Sequence, residues 1–273
     1  MDPNRAAELN RQEWDSIRRQ RDAGLIRKHH DVAADLLAGK SALYPEQREL
    51  AGEVAGMRLL DLGCGDGMEL LEWARAGASV VGVDNSPLQL AAARRAAEAL
   101  GVPDDRYRLV QADLLRLPEE LLQHEFDLVF SSHVTAWIGD LDRWFSSAYR
   151  ALTPGGAFLL SGGHPLAGYF GERQRGATWR GSYFETGPFV FDTSAVSAAW
   201  NPAGEQRSAV EWRWTLGDLV TAVARAGMRL THLVEAGDAT EKTGLPAGYP
   251  GRFTLRATRP RATAPAAAGS PGG

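Results

Sequence analysis

Short apolar runs alternate with segments of helical spacing through the middle of the chain. The runs cover residues 58–62, 79–84, 106–113, 126–133 and 157–161. Each run has the length of a buried strand, and the stretches between them place apolar residues three and four positions apart, as helices do. Strands that alternate with helices favour a parallel sheet with helices on both faces. The pattern therefore predicts an α/β fold with a Rossmann-like, doubly wound sheet.

Local signals mark where several of these elements begin. Ser86 followed by Pro87 is typical of a helix start, with Ser at the N-cap and Pro at the first helical position, and residues 88–100 continue that helix. Two later apolar runs, at 228–235 and 252–258, would complete a sheet of seven strands.

The ends of the chain differ from the middle. Residues 5–38 carry helical spacing and predict two amphipathic helices before the sheet begins. Their charges are of mixed sign, which we interpret as a solvated face. From residue 259 onward Pro, Ala and Gly dominate, so we expect a disordered tail.

Residues 162–214 interrupt the alternation. This interval has no sustained period, yet it holds 10 of the 23 aromatic residues of the chain. A long irregular insertion in a compact domain is usually functional or disordered, and the aromatic content argues against disorder. We expect a cap over a substrate, with a homodimer surface as the alternative.

A glycine loop follows the first predicted strand. Gly63, Gly65 and Gly67 occupy alternate positions directly after an apolar run that contains Asp61, and a helical pattern begins at Met68. Glycine permits the backbone angles of a tight turn and lets a ligand approach the main chain closely. The dinucleotide fingerprint G-x-G-x-x-G has its third glycine one residue later than this chain does. A nucleotide-containing cofactor is predicted, and NAD remains an alternative.

The motifs around this loop closely resemble those of the class I S-adenosylmethionine-dependent methyltransferases. The segment LLDLGCGDG resembles their first motif, and RALTPGGAFLL resembles the turn before their fifth strand. An acid ends the second predicted strand at Asp84, and another follows the third at Asp113. The resemblance implies that Asp84 holds the ribose hydroxyls of S-adenosylmethionine and that Asp113, with the backbone of Leu114, contacts the adenine.

The resemblance carries over to particular positions. It implies cofactor contacts at Asp61, Gly63, Cys64, Gly65, Gly67, Asp84, Asn85, Asp113, Leu114 and Ser131. It also implies an N-terminal lid. With the aromatic insertion, this gives candidate acceptor contacts at Trp14, Tyr44, Tyr169, Trp179 and Trp212. Packing roles are the alternative for Trp14 and Tyr44.

These observations divide the chain into five parts. We expect an N-terminal helical lid segment (1–50), an S-adenosylmethionine-binding core (51–162), a substrate cap insertion (163–214), a C-terminal part of the core (215–258) and a disordered tail (259–273).

Composition and charge exclude several classes of function. A net charge of −4 and a pI near 5.9 provide no long-range attraction for phosphate backbones, so no nucleic acid partner is expected. Cys64 is the only cysteine, which excludes an intrachain disulfide and a cysteine-based metal site, and we interpret it as a small packing residue of the loop. No apolar run is long enough for a membrane span, and a cytoplasmic location is the expectation.

Methyl transfer needs an acceptor held in line and, where the acceptor must lose a proton, a base. His133 and His164 are the candidate bases because each follows a strand at the predicted cofactor edge. No compact His or carboxylate cluster predicts a metal. The segment Ser131-Ser132-His133-Val134 lacks the Asn/Asp-Pro-Pro-aromatic motif of nucleic-acid amino-methylating enzymes. We therefore expect a small aromatic or polycyclic acceptor methylated on oxygen, with nitrogen and carbon left open. An NAD-dependent oxidoreductase and a protein that uses the cofactor structurally are the alternatives.

Overall fold

The computed structural model describes residues 1–26, 31–168, 182–192, 201–237 and 248–261. Its strands are β1 (Arg58–Leu62), β2 (Ser79–Asp84), β3 (Tyr107–Gln111), β4 (Phe126–Ser132), β5 (Leu152–Gly163), β6 (Phe189–Asp192), β7 (Ser208–Glu211), β8 (Arg229–Gly237) and β9 (Pro250–Thr258). Seven of them form one sheet in the order β3-β2-β1-β4-β5-β9-β8. The strands from β3 to β5 are parallel, and β9 runs antiparallel to both of its neighbours. The predicted doubly wound fold is confirmed.

The helices pack around this sheet and in front of it. They are α1 (Pro3–Asp22), α2 (Val32–Leu37), α3 (Pro45–Ala51), α4 (Met68–Arg75), α5 (Pro87–Ala99), α6 (Leu141–Ala151) and α7 (Leu216–Arg225). The start of α5 is as predicted, since the Ser86 hydroxyl accepts a hydrogen bond from the backbone N–H of Gln89. The short helix α3 was not predicted, because seven residues give too few turns for a periodic pattern.

The centre of the sheet is fixed by aromatic packing against α6. Trp144, Phe145 and Phe158 are fully buried, and their rings meet edge to face with centroids 5.2 to 5.6 Å apart. Edge-to-face pairs of this kind add stabilisation beyond the apolar area that they bury. Helix α6 is therefore packed on β5, the neighbour of β4 in the sheet.

The order of the strands creates a crevice at one edge of the sheet. Strand β1 lies between β2 and β4. The strands that follow β1 are therefore added first on one side of it, as β2 and β3, and then on the other side, as β4 and β5. In open α/β sheets, ligands bind at the carboxyl ends of the strands where the order reverses. The loop after β1 and the loop after β4 therefore meet at this edge.

The N-terminal region and the insertion contact each other directly. Strands β6 and β7 pair antiparallel in a separate two-stranded sheet, where the sequence shows no sustained period because four residues are too few to display one. The side chain of Asn10 in α1 bonds both backbone groups of Val210 in β7, at 3.0 Å to the carbonyl and 2.8 Å to the N–H. Within the described residues, no helix combines the length and the apolar content that a membrane span requires.

The interpretation of the first helix as a charged, solvated face is wrong. Glu13, Asp15, Arg18 and Arg21 are buried. The reason is that α1 lies between the glycine loop and β7, where ion pairs such as Arg207 to Glu13, at 2.9 Å, balance its charges.

Replacing Gly82 in β2 should test the packing behind the glycine loop. A Cβ at Gly82 would lie 2.7 Å from Leu70 Cδ2 and 2.8 Å from Cys64 Sγ, both in buried side chains. We expect Gly82→Ala to lower the free energy of unfolding by about 1–3 kcal/mol, as overpacking does. Urea denaturation measures the change. In Gly217→Ala, the matched control, the added Cβ meets Thr215 Oγ1 at 3.5 Å, and stability should not fall.

Candidate functional site

A cavity of about 1010 Å³ lies over the carboxyl ends of β1, β2 and β4 and is covered by α1. Eleven of the predicted site residues line it: Trp14, Tyr44, Gly63, Cys64, Gly65, Asp84, Asn85, Asp113, Leu114, His133 and Trp212. Residues at or after the ends of four strands, β1 to β4, therefore converge on one space.

The glycine loop has the backbone geometry that its sequence predicts. Gly63, Gly65 and Gly67 have φ values of 90°, 53° and 85°, in the region that favours glycine. A Cβ at Gly63 would lie 2.3 Å from Val134 Cγ1, so no side chain fits there. At Gly65 a Cβ would meet no atom within 4 Å, and this residue lines the cavity. The loop thus presents bare backbone to the open space.

Asp84 supports the loop and faces the cavity. Its carboxylate accepts hydrogen bonds from the backbone N–H of Gly65, at 3.0 Å, and of Ser86, at 2.9 Å. Burial raises the pKa of Asp84 to about 6, although these two hydrogen bonds oppose the shift, and the charges of Asp66 and Asp15 add to it. Each carboxylate oxygen can accept a second hydrogen bond, which leaves capacity for a ligand.

Three of the predicted cofactor residues are not part of the cavity lining. They are Asp61, Gly67 and Ser131, and the Ser131 hydroxyl donates to the Leu62 carbonyl at 2.5 Å. Burial raises the pKa of Asp61 well above its usual range, and the nearby charges of Glu69 and Asp84 raise it further. These residues shape the turn from within the protein.

Cys64 is buried in the same layer. Burial raises the pKa of its thiol, and the carboxylates of Asp61, Asp84 and Asp66 add to the shift. The thiolate, which is the nucleophilic form, is therefore disfavoured. The structure places Cys64 as a packing side chain whose backbone belongs to the loop.

Two buried arginines of α1 form ion pairs with the glycine loop. Arg18 and Arg21 approach the same Asp66 oxygen, at 3.4 and 3.0 Å, and all three side chains are largely buried. Burial lowers the pKa of the Arg21 guanidinium against the attraction of Asp66. A helix of the N-terminal segment is thus bonded to the residue between Gly65 and Gly67.

Three indole rings, those of Trp14, Trp137 and Trp212, also line the cavity. Trp14 and Trp137 meet edge to face with centroids 5.5 Å apart. Trp212 packs on Gly139, where a Cβ would lie 2.6 Å from the Trp212 ring. The predicted contacts Tyr169 and Trp179 lie outside the described residues.

The two candidate histidines have different surroundings. His133 is exposed to the cavity, with Nε2 3.0 Å from the hydroxyl of Tyr44. His164 is buried, and its Nε2 lies 2.7 Å from Glu235 while Nδ1 accepts from the backbone N–H of Leu166. Because His164 does not line the cavity and both of its ring nitrogens are engaged, the structure gives it no position from which to take a proton from an acceptor there.

Sequence reasoning missed several residues of the site. Arg21, Asp66, Ser132 and Trp137 also line the cavity. Asp66 stands inside the recognised motif, whereas Arg21 has the sequence context of an ordinary surface helix. No pattern distinguishes a buried arginine from a solvated one when both lie on an amphipathic helix.

The polar groups of the lining fit the cofactor implied by the motifs. Asp84 offers free acceptor capacity beside the open space above Gly65, and Arg21 contributes a cation whose buried Nε has no hydrogen-bond partner. Throughout the part of the chain that the structure describes, no three His, Cys, Asp or Glu side chains are placed to hold a metal ion.

Comparisons with known sequences agree on one family. Residues 60–160 match the family model described as "Methyltransferase domain". A ubiquinone biosynthesis O-methyltransferase of Cereibacter sphaeroides is 30% identical over 200 residues, which cover 68% of this chain and 75% of that protein. The enzyme of the same name from Rhizobium etli is 37% identical over 106 residues, or 39% of this chain. The match spans 41% of the Rhizobium etli protein's length.

Solved structures show the same architecture. An S-adenosylmethionine-dependent methyltransferase from Mesorhizobium loti is 30% identical, with a TM-score of 0.60, over 79% of this chain and 96% of that one. A geranyl diphosphate C-methyltransferase from Streptomyces coelicolor, 19% identical, has a TM-score of 0.53 over 78% of this chain and 77% of its own. The second likeness concerns the fold alone.

Neutralising Asp66 should destabilise the protein more than neutralising an exposed acid. Asp66→Asn removes the carboxylate that pairs with the buried Arg21 while Arg18 keeps its ion pair with Asp22 at 2.8 Å, and losing one partner of a buried ion pair costs about 3–5 kcal/mol. The control Glu125→Gln removes an exposed pair with Arg58 and should cost about 0.5 kcal/mol or less. Urea denaturation compares the two, and equal losses would mean that Asp66 does not balance the arginines.

Proposed function

The chain belongs to the S-adenosylmethionine-dependent methyltransferases, and we propose that it transfers the cofactor's methyl group to a hydroxyl group of a small aromatic or polycyclic acceptor. The observation that carries the proposal is the shared cavity. Its lining brings together Gly63 and Gly65 of the glycine loop, Asp84, His133 and three indole rings, those of Trp14, Trp137 and Trp212.

The cofactor would occupy the half of the cavity above the glycine loop. Asp84 would accept the ribose hydroxyls, and Asp113 with the backbone of Leu114 would contact the adenine, since all three line the cavity. When bound, S-adenosylmethionine supplies a methyl carbon that is activated by a positively charged sulfur. The protein then has to orient the acceptor and exclude water.

The aromatic half of the cavity would hold the acceptor. Trp14, Trp137 and Trp212 offer large flat surfaces with little conformational freedom, which suits a planar apolar ring. Helix α1 contributes residues to the lining and would limit the access of solvent to the acceptor. His133, exposed in this half, would accept the hydroxyl proton as the acceptor oxygen attacks.

The relatives favour oxygen as the nucleophile. Those at 37% and 30% identity are named O-methyltransferases of ubiquinone biosynthesis, and an aromatic hydroxyl suits the indole walls of this cavity. The Rhizobium etli match covers 106 residues, or 39% of this chain. The acceptor class therefore rests on the cavity itself.

The alternative of an NAD-dependent oxidoreductase is set aside by family membership and by the spacing of the glycines. Structural use of the cofactor is the other alternative. Incubation with methyl-labelled donor and a library of phenols, amines and carboxylic acids distinguishes it. Repeated enzyme-dependent labelling of a phenol supports the proposal, labelling of amines alone moves the nucleophile to nitrogen, and absence of any labelled product favours a structural role.

Cofactor affinity should depend on Asp84 and on its ionisation. Losing an acceptor of the ribose hydroxyls costs about 1–3 kcal/mol, so Asp84→Ala should weaken S-adenosylhomocysteine binding about tenfold to a hundredfold. Because the pKa of Asp84 is raised to about 6, the carboxylate is protonated at pH 5 and ionised at pH 7.5. Wild-type affinity should therefore increase with pH across this window, and the dependence should vanish in Asp84→Ala.

Calorimetric titration with S-adenosylhomocysteine measures both effects, with NAD as the comparison ligand. Asp142→Ala is the matched control, since this exposed acid of α6 pairs with Arg225 away from the cavity lining. If Asp84→Ala binds S-adenosylhomocysteine as tightly as the wild type does, Asp84 does not hold the ribose.

Replacing His133 should affect turnover and spare cofactor binding. With an acceptor found in the library, His133→Gln should lower turnover about a hundredfold, and the loss should shrink as the pH approaches the pKa of the acceptor hydroxyl. The control is His232→Gln, at an exposed position of β8. Unchanged turnover of His133→Gln from pH 6 to 9 would mean that the reaction needs no histidine base.

A further inference from the structure

Tyr44 and His133 form a side-chain pair in the lining of the cavity. They are 89 positions apart in sequence, yet Tyr44 Oη lies 3.0 Å from His133 Nε2. The two rings meet edge to face with centroids 5.9 Å apart. Both residues line the cavity, so a molecule in its acceptor half can reach the pair.

Hydrogen bonds of a buried glutamine hold Tyr44 next to His133. Tyr44 is the N-cap of α3, and its backbone N–H donates to Gln47 Oε1 at 2.7 Å. Gln47 is fully buried, and its Nε2 donates to the hydroxyl of Ser132 at 3.4 Å. Since Ser132 ends β4 and immediately precedes His133, the start of α3 is tied to the strand that presents the imidazole.

The backbone of His133 is also held in an uncommon conformation. Its φ is 57°, in the left-handed region that a residue with a Cβ rarely adopts. The backbone N–H of His133 donates to the Ser161 carbonyl at 2.9 Å, which pins this turn to β5. Conformations of this kind cluster at functional sites, where the surrounding structure enforces them.

A cation lies on the face of the Tyr44 ring. The guanidinium carbon of Arg252 is 4.7 Å from the ring centroid, and Glu46 holds Arg252 by an ion pair of 2.5 Å. Both charged side chains are largely buried. A guanidinium in this position favours negative charge on the phenol, and so it makes the Tyr44 hydroxyl a better proton donor to His133.

We propose that Tyr44 is a catalytic residue that relays the acceptor's proton to His133. The acceptor O–H bond breaks and its proton moves to Tyr44 Oη, while the proton of Tyr44 moves to His133 Nε2. The acceptor oxygen forms the new bond to the methyl carbon as the bond from that carbon to sulfur breaks, and sulfur keeps the electron pair. Tyr44 ends unchanged and His133 ends as imidazolium. The inference rests on the proposed function and adds the residue that contacts the hydroxyl.

The relay requires that Tyr44 donates and His133 Nε2 accepts. Nitrogen-15 NMR of the imidazoles, with His133→Gln used for assignment, reports which ring nitrogen carries the proton in the protein without acceptor. We expect an unprotonated Nε2 whose resonance moves in Tyr44→Phe. Tyr149→Phe is the matched control, because Tyr149 also lies beneath an arginine, Arg259 at 4.6 Å, and does not line the cavity. A protonated Nε2 in the wild type would overturn the relay.

Turnover provides the second arm, with the phenol that gives most labelled product in the library. Tyr44→Phe and His133→Gln should each lower turnover about a hundredfold, and the double variant should be no slower than either, because the two residues act as one unit. Affinity for S-adenosylhomocysteine should stay within about twofold. Wild-type turnover in Tyr44→Phe beside a large loss in His133→Gln would overturn the relay and leave His133 as the direct base.

Arg252 tests the electrostatic part of the relay. Arg252→Leu should slow turnover about tenfold, and Arg252→Lys, which keeps the charge, should recover most of the loss. Equal losses in both variants would contradict a role through charge. Failure of the wild type to bind S-adenosylhomocysteine would instead overturn the proposed function, and the NMR arm would still decide whether Tyr44 donates to His133.

Discussion

Two buried guanidinium groups share one carboxylate between α1 and the glycine loop. Burying charge is costly, and the cost is recovered only when opposite charges meet with good geometry. At Asp66 this requirement fixes where α1 lies, because Arg18 and Arg21 have to reach the loop residue. The roof of the cavity, the position of Trp14 and the contact with β7 all depend on that placement. The N-terminal segment is therefore part of the site.

The sequence predicts the core well because its signals are local. Alternating strands and helices define the sheet, and the spacing from Gly63 to Gly67 defines the turn, since a turn depends on a few adjacent residues. The acceptor half depends on contacts between distant segments. No local signal in the sequence shows that Tyr44 reaches His133 or that Glu235 bonds His164, and this is why both histidines remained candidates in the sequence analysis.

The cavity separates two kinds of recognition. On the side of β1 and β2, bare backbone and carboxylates offer polar contacts suited to a ligand of fixed shape. Elsewhere in the lining, indole rings offer apolar surface that makes few directional contacts. A site divided in this way can keep one cofactor while its acceptor changes, because aromatic walls are altered by single substitutions that leave the glycine loop untouched.

The bond between Asn10 and Val210 has a consequence outside the site. A two-stranded sheet leaves backbone N–H and carbonyl groups unpaired on its outer edges, and such an edge is a template for strand addition by another chain. The Asn10 amide donates to the carbonyl and accepts from the N–H of Val210, as a neighbouring strand would. One polar side chain of α1 thus occupies the backbone groups of Val210 to which a further strand would pair, and the helix that lines the cavity also covers a strand edge.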